Sequence, residues 1–174
     1  MARFFDITRF TPLILIVATA SHCLAAEQLI ETKELSLVIP ESWEKVAEDK
    51  TLLTVRVGLR QSGFGFAKNI RVKLYDLPDG ATLEQLAAVQ KKSLGRFKLV
   101  AEGEFPAANA NISWLAIAPE SPTNASDALT KIDYIAVVGK KAFVLHCMTE
   151  TKTWEADKLL FENIVKSASF KAFK

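Results

Sequence analysis

Residues 131–150 read KIDYIAVVGKKAFVLHCMTE, two apolar runs joined at Gly139-Lys140. Both runs, 131–138 and 141–149, are rich in β-branched and aromatic residues, and a two-residue link carrying glycine predicts an antiparallel hairpin. Within them Ile135-Ala136-Val137-Val138 and Ala142-Phe143-Val144-Leu145 are apolar without alternation. A strand with one wet face alternates apolar and polar residues. Unbroken apolarity therefore predicts that both faces are covered and that the hairpin lies at the middle of a sheet.

Outward from the hairpin, the remaining elements follow from period and punctuation. LSLVI at 35–39 reads as a strand stopped by Pro40, with Glu41-Ser42-Trp43 read as a turn; TLLTVRVGL at 51–59 reads as a second strand. At 70–77, Ile70, Val72 and Leu74 alternate with Arg71, Lys73 and Tyr75, and Pro78-Asp79-Gly80 closes the segment. Thr82 and Gln85 match a capping box, which predicts a helix over 83–94 with Gly95 as its left-handed cap. Strands follow at 98–105 and 111–119, then a polar connection at 119–129. The closing helix spans 154–167, capped by Thr153, with Trp154, Leu160, Phe161, Ile164 and Val165 at helical spacing. Two amphipathic helices and a sheet with buried central strands predict an α/β (α+β) fold, an α/β/α sandwich on a largely antiparallel sheet with helices on both faces.

The order LSLVIPESW, NIRVKLYDLPDGATLEQL, GKKAFVLHCMTE and FENIVKSASF resembles the PsbP-like or Mog1-like sandwich, and within it the bacterial DcrB-type exported proteins. The resemblance covers nearly all of residues 35–171 and rests on element order and hydrophobic phrases. It implies an exported, non-enzymatic protein that binds or helps assemble another envelope protein, and it carries no catalytic residue across.

The chain opens with Arg3 and Arg9, an apolar run at 12–20 (PLILIVATA) and Cys23-Leu24-Ala25-Ala26 before Glu27. These are the parts of a secretory signal peptide. The run is shorter than the roughly 20 residues that span the hydrocarbon core, so the expected product is periplasmic, cleaved near Ala25 or Ala26. Residues 1–26 are then the signal and 27–174 one domain. Cys23 leaves open a lipoprotein held on the membrane, although His22 and Ala20 stand where a lipobox carries a small residue and leucine.

Without Arg3, Arg9 and Asp6 the exported chain carries a net charge of +1. A near-neutral surface of mixed sign gives no field for phosphate backbones, which argues against nucleic-acid binding. Cys147 is then the one cysteine left, so no internal disulfide forms and packing alone holds the fold. One histidine and one cysteine leave no His-rich or Cys-rich zinc site, and no nucleotide or nucleophile signature implies a cofactor. Ser42 and Lys45 match S-x-x-K, but the chain lacks K-T-G and the length of that fold.

His146 and Cys147 are neighbours on a strand, so their side chains diverge and form no dyad. Cys147 is read as a buried, inert thiol on the face of Phe143 and Leu145; His146 is read as half-buried against a helix. Candidate partner-binding residues are the aromatics of the glycine-punctuated loop, Phe64 and Phe66, together with Trp114. Two alternatives stand beside the binding reading: a periplasmic immunity protein against a toxin, and an enzyme acting on an envelope substrate through unrecognised carboxylates.

Overall fold

The computed structural model describes residues 26–46, 52–57, 67–120 and 129–171. Its elements are β1 (Glu27–Glu31), β2 (Leu35–Pro40), β3 (Trp43–Val46), β4 (Leu53–Val57), β5 (Asn69–Asp76), α1 (Leu83–Lys92), β6 (Phe97–Pro106), β7 (Asn111–Pro119), β8 (Leu129–Val138), β9 (Lys141–Glu150), α2 (Trp154–Lys166) and β10 (Ser169–Phe170). Seven strands form one sheet in the order β3-β4-β5-β9-β8-β7-β6, and β1-β2-β10 form a second. Every pairing is antiparallel. The fold is thus mixed α and β on mostly antiparallel sheets.

The apolar hairpin holds the position its composition requires. β8 and β9 each have a strand on both sides, and Gly139 takes φ +60° in their two-residue turn. That left-handed backbone suits glycine, which has no Cβ to clash. Alternate residues of the inner strands divide between two apolar clusters. Trp114, Ala116, Ile132, Tyr134, Phe143, Leu145 and Cys147 pack with Phe161, Ile164 and Val165 of α2 and with Leu35, Leu37, Ile39 and Phe170 of the small sheet. Leu115, Ile117 and Ile135 pack with Leu83, Leu86 and Leu94 on and just beyond α1.

β6 serves both clusters, and a bulge is the reason. Its register slips between Leu99 and Ala101, so Leu99 lies opposite Ile117 and Ala101 opposite Ala116. The extra residue, Val100, reverses the alternation. Leu99 joins the cluster under α1, whereas Ala101 and Phe105 join the cluster under α2.

Several local expectations shift. Trp43 begins β3 instead of closing a turn, and its ring meets Phe161 edge-on at 6.2 Å. α1 carries the capping box of Thr82 and Gln85 but ends at Lys92 with Ser93 as its C-cap, so Gly95, at φ +59°, lies beyond the helix. Thr153 occupies the N-cap of α2 without capping through its side chain. Its hydroxyl donates to Asp157 at 2.7 Å instead. β1 and β10 carry too little apolar pattern to be read locally; pairing with β2 makes them strands. Residues 1–25 of the expected signal peptide (1–26), the loop with Phe64 and Phe66, and most of the 119–129 connection lie outside the described residues.

Candidate functional site

The pairing of β8 with β9 sets Asp133 directly opposite His146. His146 Nδ1 lies 2.7 Å from Asp133 Oδ1. The other oxygen, Oδ2, accepts from Gln90 Nε2 at 2.7 Å and from Lys131 Nζ at 2.8 Å. Lys131 precedes Asp133 by two residues on one strand and therefore shares its face. Gln90 comes from the inward stripe of α1, at helical spacing from Leu83, Leu86, Ala87 and Leu94. Three elements thus converge on one carboxylate.

The Asp133 side chain is 0% exposed, and an unpaired charge there would be costly. Burial alone would raise its carboxyl; the hydrogen bond and charge of His146, joined by the charge and hydrogen bond of Lys131, outweigh burial and hold it below the usual range. The carboxylate is therefore an ionised acceptor with all its donors in place. It organises its neighbours.

Beside this knot lies a cleft of about 310 Å³, lined by Gln90, Ser93, Leu94, Phe97, Ile117, Leu129, Lys131 and Met148. Gln90 and Lys131 belong to both the knot and the cleft wall. Ser93 donates its hydroxyl to the Gln90 carbonyl at 3.0 Å. The lining is chiefly apolar, and two of its polar residues, Gln90 and Lys131, donate to Asp133.

A histidine oriented by a carboxylate is half of a nucleophile-activating arrangement. The other half is missing from the neighbouring position. Cys147 is fully buried in the cluster under α2, on the opposite side of the sheet from His146, and its Sγ lies 4.0 Å from the Leu145 carbonyl. Burial, with a smaller effect from the Asp133 charge, pushes its thiol well up. A protonated thiol in apolar packing is inert.

A second polar cluster joins α2 to the large sheet. Asp157 is buried and accepts from Lys68 Nζ, from the Thr149 hydroxyl and from Thr153. Burial would raise its carboxyl, and these three hydrogen bonds hold it down. Among the described residues no group of three or more His, Cys, Asp or Glu could hold a metal ion, and no helix is long and apolar enough to cross a membrane.

Of the candidate contact residues, Trp114 alone is described. It is 9% exposed, with Lys158 Nζ 4.2 Å from its ring centroid and Gly103 opposite it on β6. Its ring is committed to packing under α2 and β6. Sequence reasoning passed over Asp133 and Gln90, although both carried a signal: a carboxylate inside an apolar strand, and an amide inside the apolar stripe of a helix. Each such group needs a buried partner, and here they are each other's.

Comparison with family models and with curated protein sequences finds no match. Solved structures do match. The PsbP of the cyanobacterium Synechocystis is 15% identical over 90% of this chain and 99% of its own, at a TM-score of 0.60. LpqN of Mycobacterium tuberculosis, a protein involved in cell envelope biogenesis, is 10% identical over 84% of this chain and 91% of its own, at a TM-score of 0.63. The Saccharomyces cerevisiae Ran-binding protein Mog1p is 10% identical over 85% of this chain and 97% of its own, at a TM-score of 0.56. At these identities the likeness is one of fold: the chain has the PsbP-like and Mog1-like fold.

Proposed function

We propose that the chain is an exported, non-enzymatic protein that binds or helps assemble another envelope protein, and that β6 is the surface it offers. The observation that carries this reading is the position of β6. It is ten residues long and ends the seven-stranded sheet, so its outer edge has no strand neighbour among the described residues. Phe97 and Val100 are exposed on it, at 36% and 41%. An extended partner segment that adds there gains main-chain hydrogen bonds from the edge and apolar contact from these side chains.

Three further observations support the reading. The N-terminal 26 residues have the make-up of an export signal. Of the proteins sharing the fold, Mog1p is Ran-binding and LpqN takes part in envelope biogenesis. The described residues that line the cleft include no Asp or Glu, which favours recognition over carboxylate catalysis. The division of alternate β7 and β8 residues between the two clusters supports a three-layer arrangement with α1 and α2 on opposite faces of the large sheet. Phe64 and Phe66 are proposed as additional contact residues, with Trp114 as packing beneath β6.

Photo-crosslinking in intact cells tests this. A photoreactive residue at Val100 should trap an envelope protein, whereas one at Leu159, exposed on α2, should not. Val100→Lys should lose the partner at unchanged melting temperature. Adducts at neither position under several growth conditions, or equal adducts at both, would refute the β6 surface. A trapped toxin would narrow the reading to an immunity protein.

A further inference from the structure

The cleft at the end of α1 combines an apolar lining with two donors that Asp133 holds in place. Leu94, Phe97, Ile117, Leu129 and Met148 form the apolar wall. Lys131, directly between Ile117 and Met148 in the sheet, and Gln90 are fixed through the same Asp133 oxygen. Each keeps donors free of that bond: an ammonium carries three N–H groups and a primary amide two. Lys131 supplies the single charge on the described lining, since no Asp or Glu belongs to it and Asp133 itself is 0% exposed. Arg96 adds a second cation near the cavity, its guanidinium 5.3 Å from the centroid of the lining ring of Phe97.

We infer that this pocket binds a small apolar carboxylate, with its chain along Leu94, Ile117, Leu129 and Met148 and its carboxylate on the Lys131 ammonium and the Gln90 amide. The sign follows from the donors. An anion completes the unused N–H groups of Lys131 and Gln90, whereas a cation would meet Lys131 and find the Asp133 oxygens already occupied by three donors. The size follows from the volume. A protein cavity of about 150 Å³ takes a benzene ring, so 310 Å³ takes about a dozen heavy atoms. Decanoate has that size and shape. Most of the apolar lining is aliphatic, and a flexible chain conforms to it more readily than a rigid fused ring.

Asp133 is a positioning residue in this site. It touches no ligand, yet it prevents Lys131 and Gln90 from turning away and so lowers the ordering cost of binding. The pocket requires no protein partner; it shares Phe97 with the β6 surface, and titration of the purified protein with a small ligand reads the pocket alone.

Calorimetric titration of the purified protein with decanoate and with decanol, both kept below micelle-forming concentrations, separates the two halves of the site. Decanoate should bind at least about tenfold more tightly than the uncharged alcohol, because charge-assisted hydrogen bonds contribute more than neutral ones. Lys131→Gln should remove that preference while decanol binding stays within about twofold. Phe97→Asp, at a partly exposed position that tolerates a polar residue, should place a carboxylate in the wall and abolish decanoate binding in a protein of unchanged melting temperature. Equal affinities for acid and alcohol, no decanoate binding at millimolar concentration, or an undiminished preference in Lys131→Gln would each overturn the assignment.

Discussion

Replacing Asp133 with asparagine keeps the shape of the side chain and removes its charge, which isolates what the carboxylate does. In the native protein its two oxygens accept from His146, Gln90 and Lys131. In Asp133→Asn the amide oxygen serves one of these donors, and the new NH₂ group confronts another. Gln90 recovers by rotating its amide so that its own oxygen faces the new donor. Lys131 and His146 recover partly through water, since their side chains are 36% and 18% exposed. The loss is therefore smaller than the 3–5 kcal/mol typical of breaking a fully buried pair, and about that of one charge-assisted hydrogen bond, ~2 kcal/mol. With a urea slope of about 2 kcal/mol per molar, the unfolding midpoint should fall by about 1 M at neutral pH.

The pH dependence sharpens this. The folded-state carboxyl of Asp133 lies below its ordinary value. Its stabilisation is then fully present above the unfolded value of about 3.9 and is lost as pH falls through the folded value. Asparagine does not titrate, so the gap between wild type and Asp133→Asn should narrow below about pH 4. Urea unfolding at a series of pH values, followed by circular dichroism, measures both. Equal midpoints at pH 7, or a gap that survives undiminished at about pH 3, would show that the carboxylate is not the ionised acceptor described above.

A Cβ on Gly103 would come within 2.9 Å of Trp114 Nε1, so Gly103→Ala should cost about 1–3 kcal/mol through overpacking and alter tryptophan fluorescence; native stability and an unchanged spectrum would contradict that packing. Cys147 should resist a thiol-specific reagent until urea unfolds the protein, and Cys147→Ser should destabilise by about 1–3 kcal/mol, more than Cys147→Ala; rapid labelling of the native state would place the thiol elsewhere. Intact mass of the envelope fraction should show a species beginning near Ala26 or Glu27. An acylated species beginning at Cys23 would establish a lipoprotein instead, and an uncleaved chain would refute both forms of export.

What the sequence determined by itself is what short-range pattern encodes. The unbroken apolarity of 135–138 and 142–145 placed β8 and β9 inside a sheet, the two-residue link at Gly139-Lys140 gave their turn, and the capping box at Thr82 and Gln85 started α1. Each is local, because side-chain period and backbone conformation are set within a few residues. Tertiary structure decided what depends on partners far along the chain. Leu99, Ala101 and Phe105 read as one face of β6, yet the bulge at Val100, visible only against β7, sends Leu99 under α1 and the other two under α2. Trp43 became the start of a strand because β4 pairs with it, and Trp114 became core because Gly103 leaves room for its ring and α2 covers it. The Asp133 knot belongs to the same class. Its odd placement in an apolar strand signalled a partner, but which histidine, lysine and glutamine would meet it follows from cross-strand register and the seating of α1, and those are fixed by long-range packing.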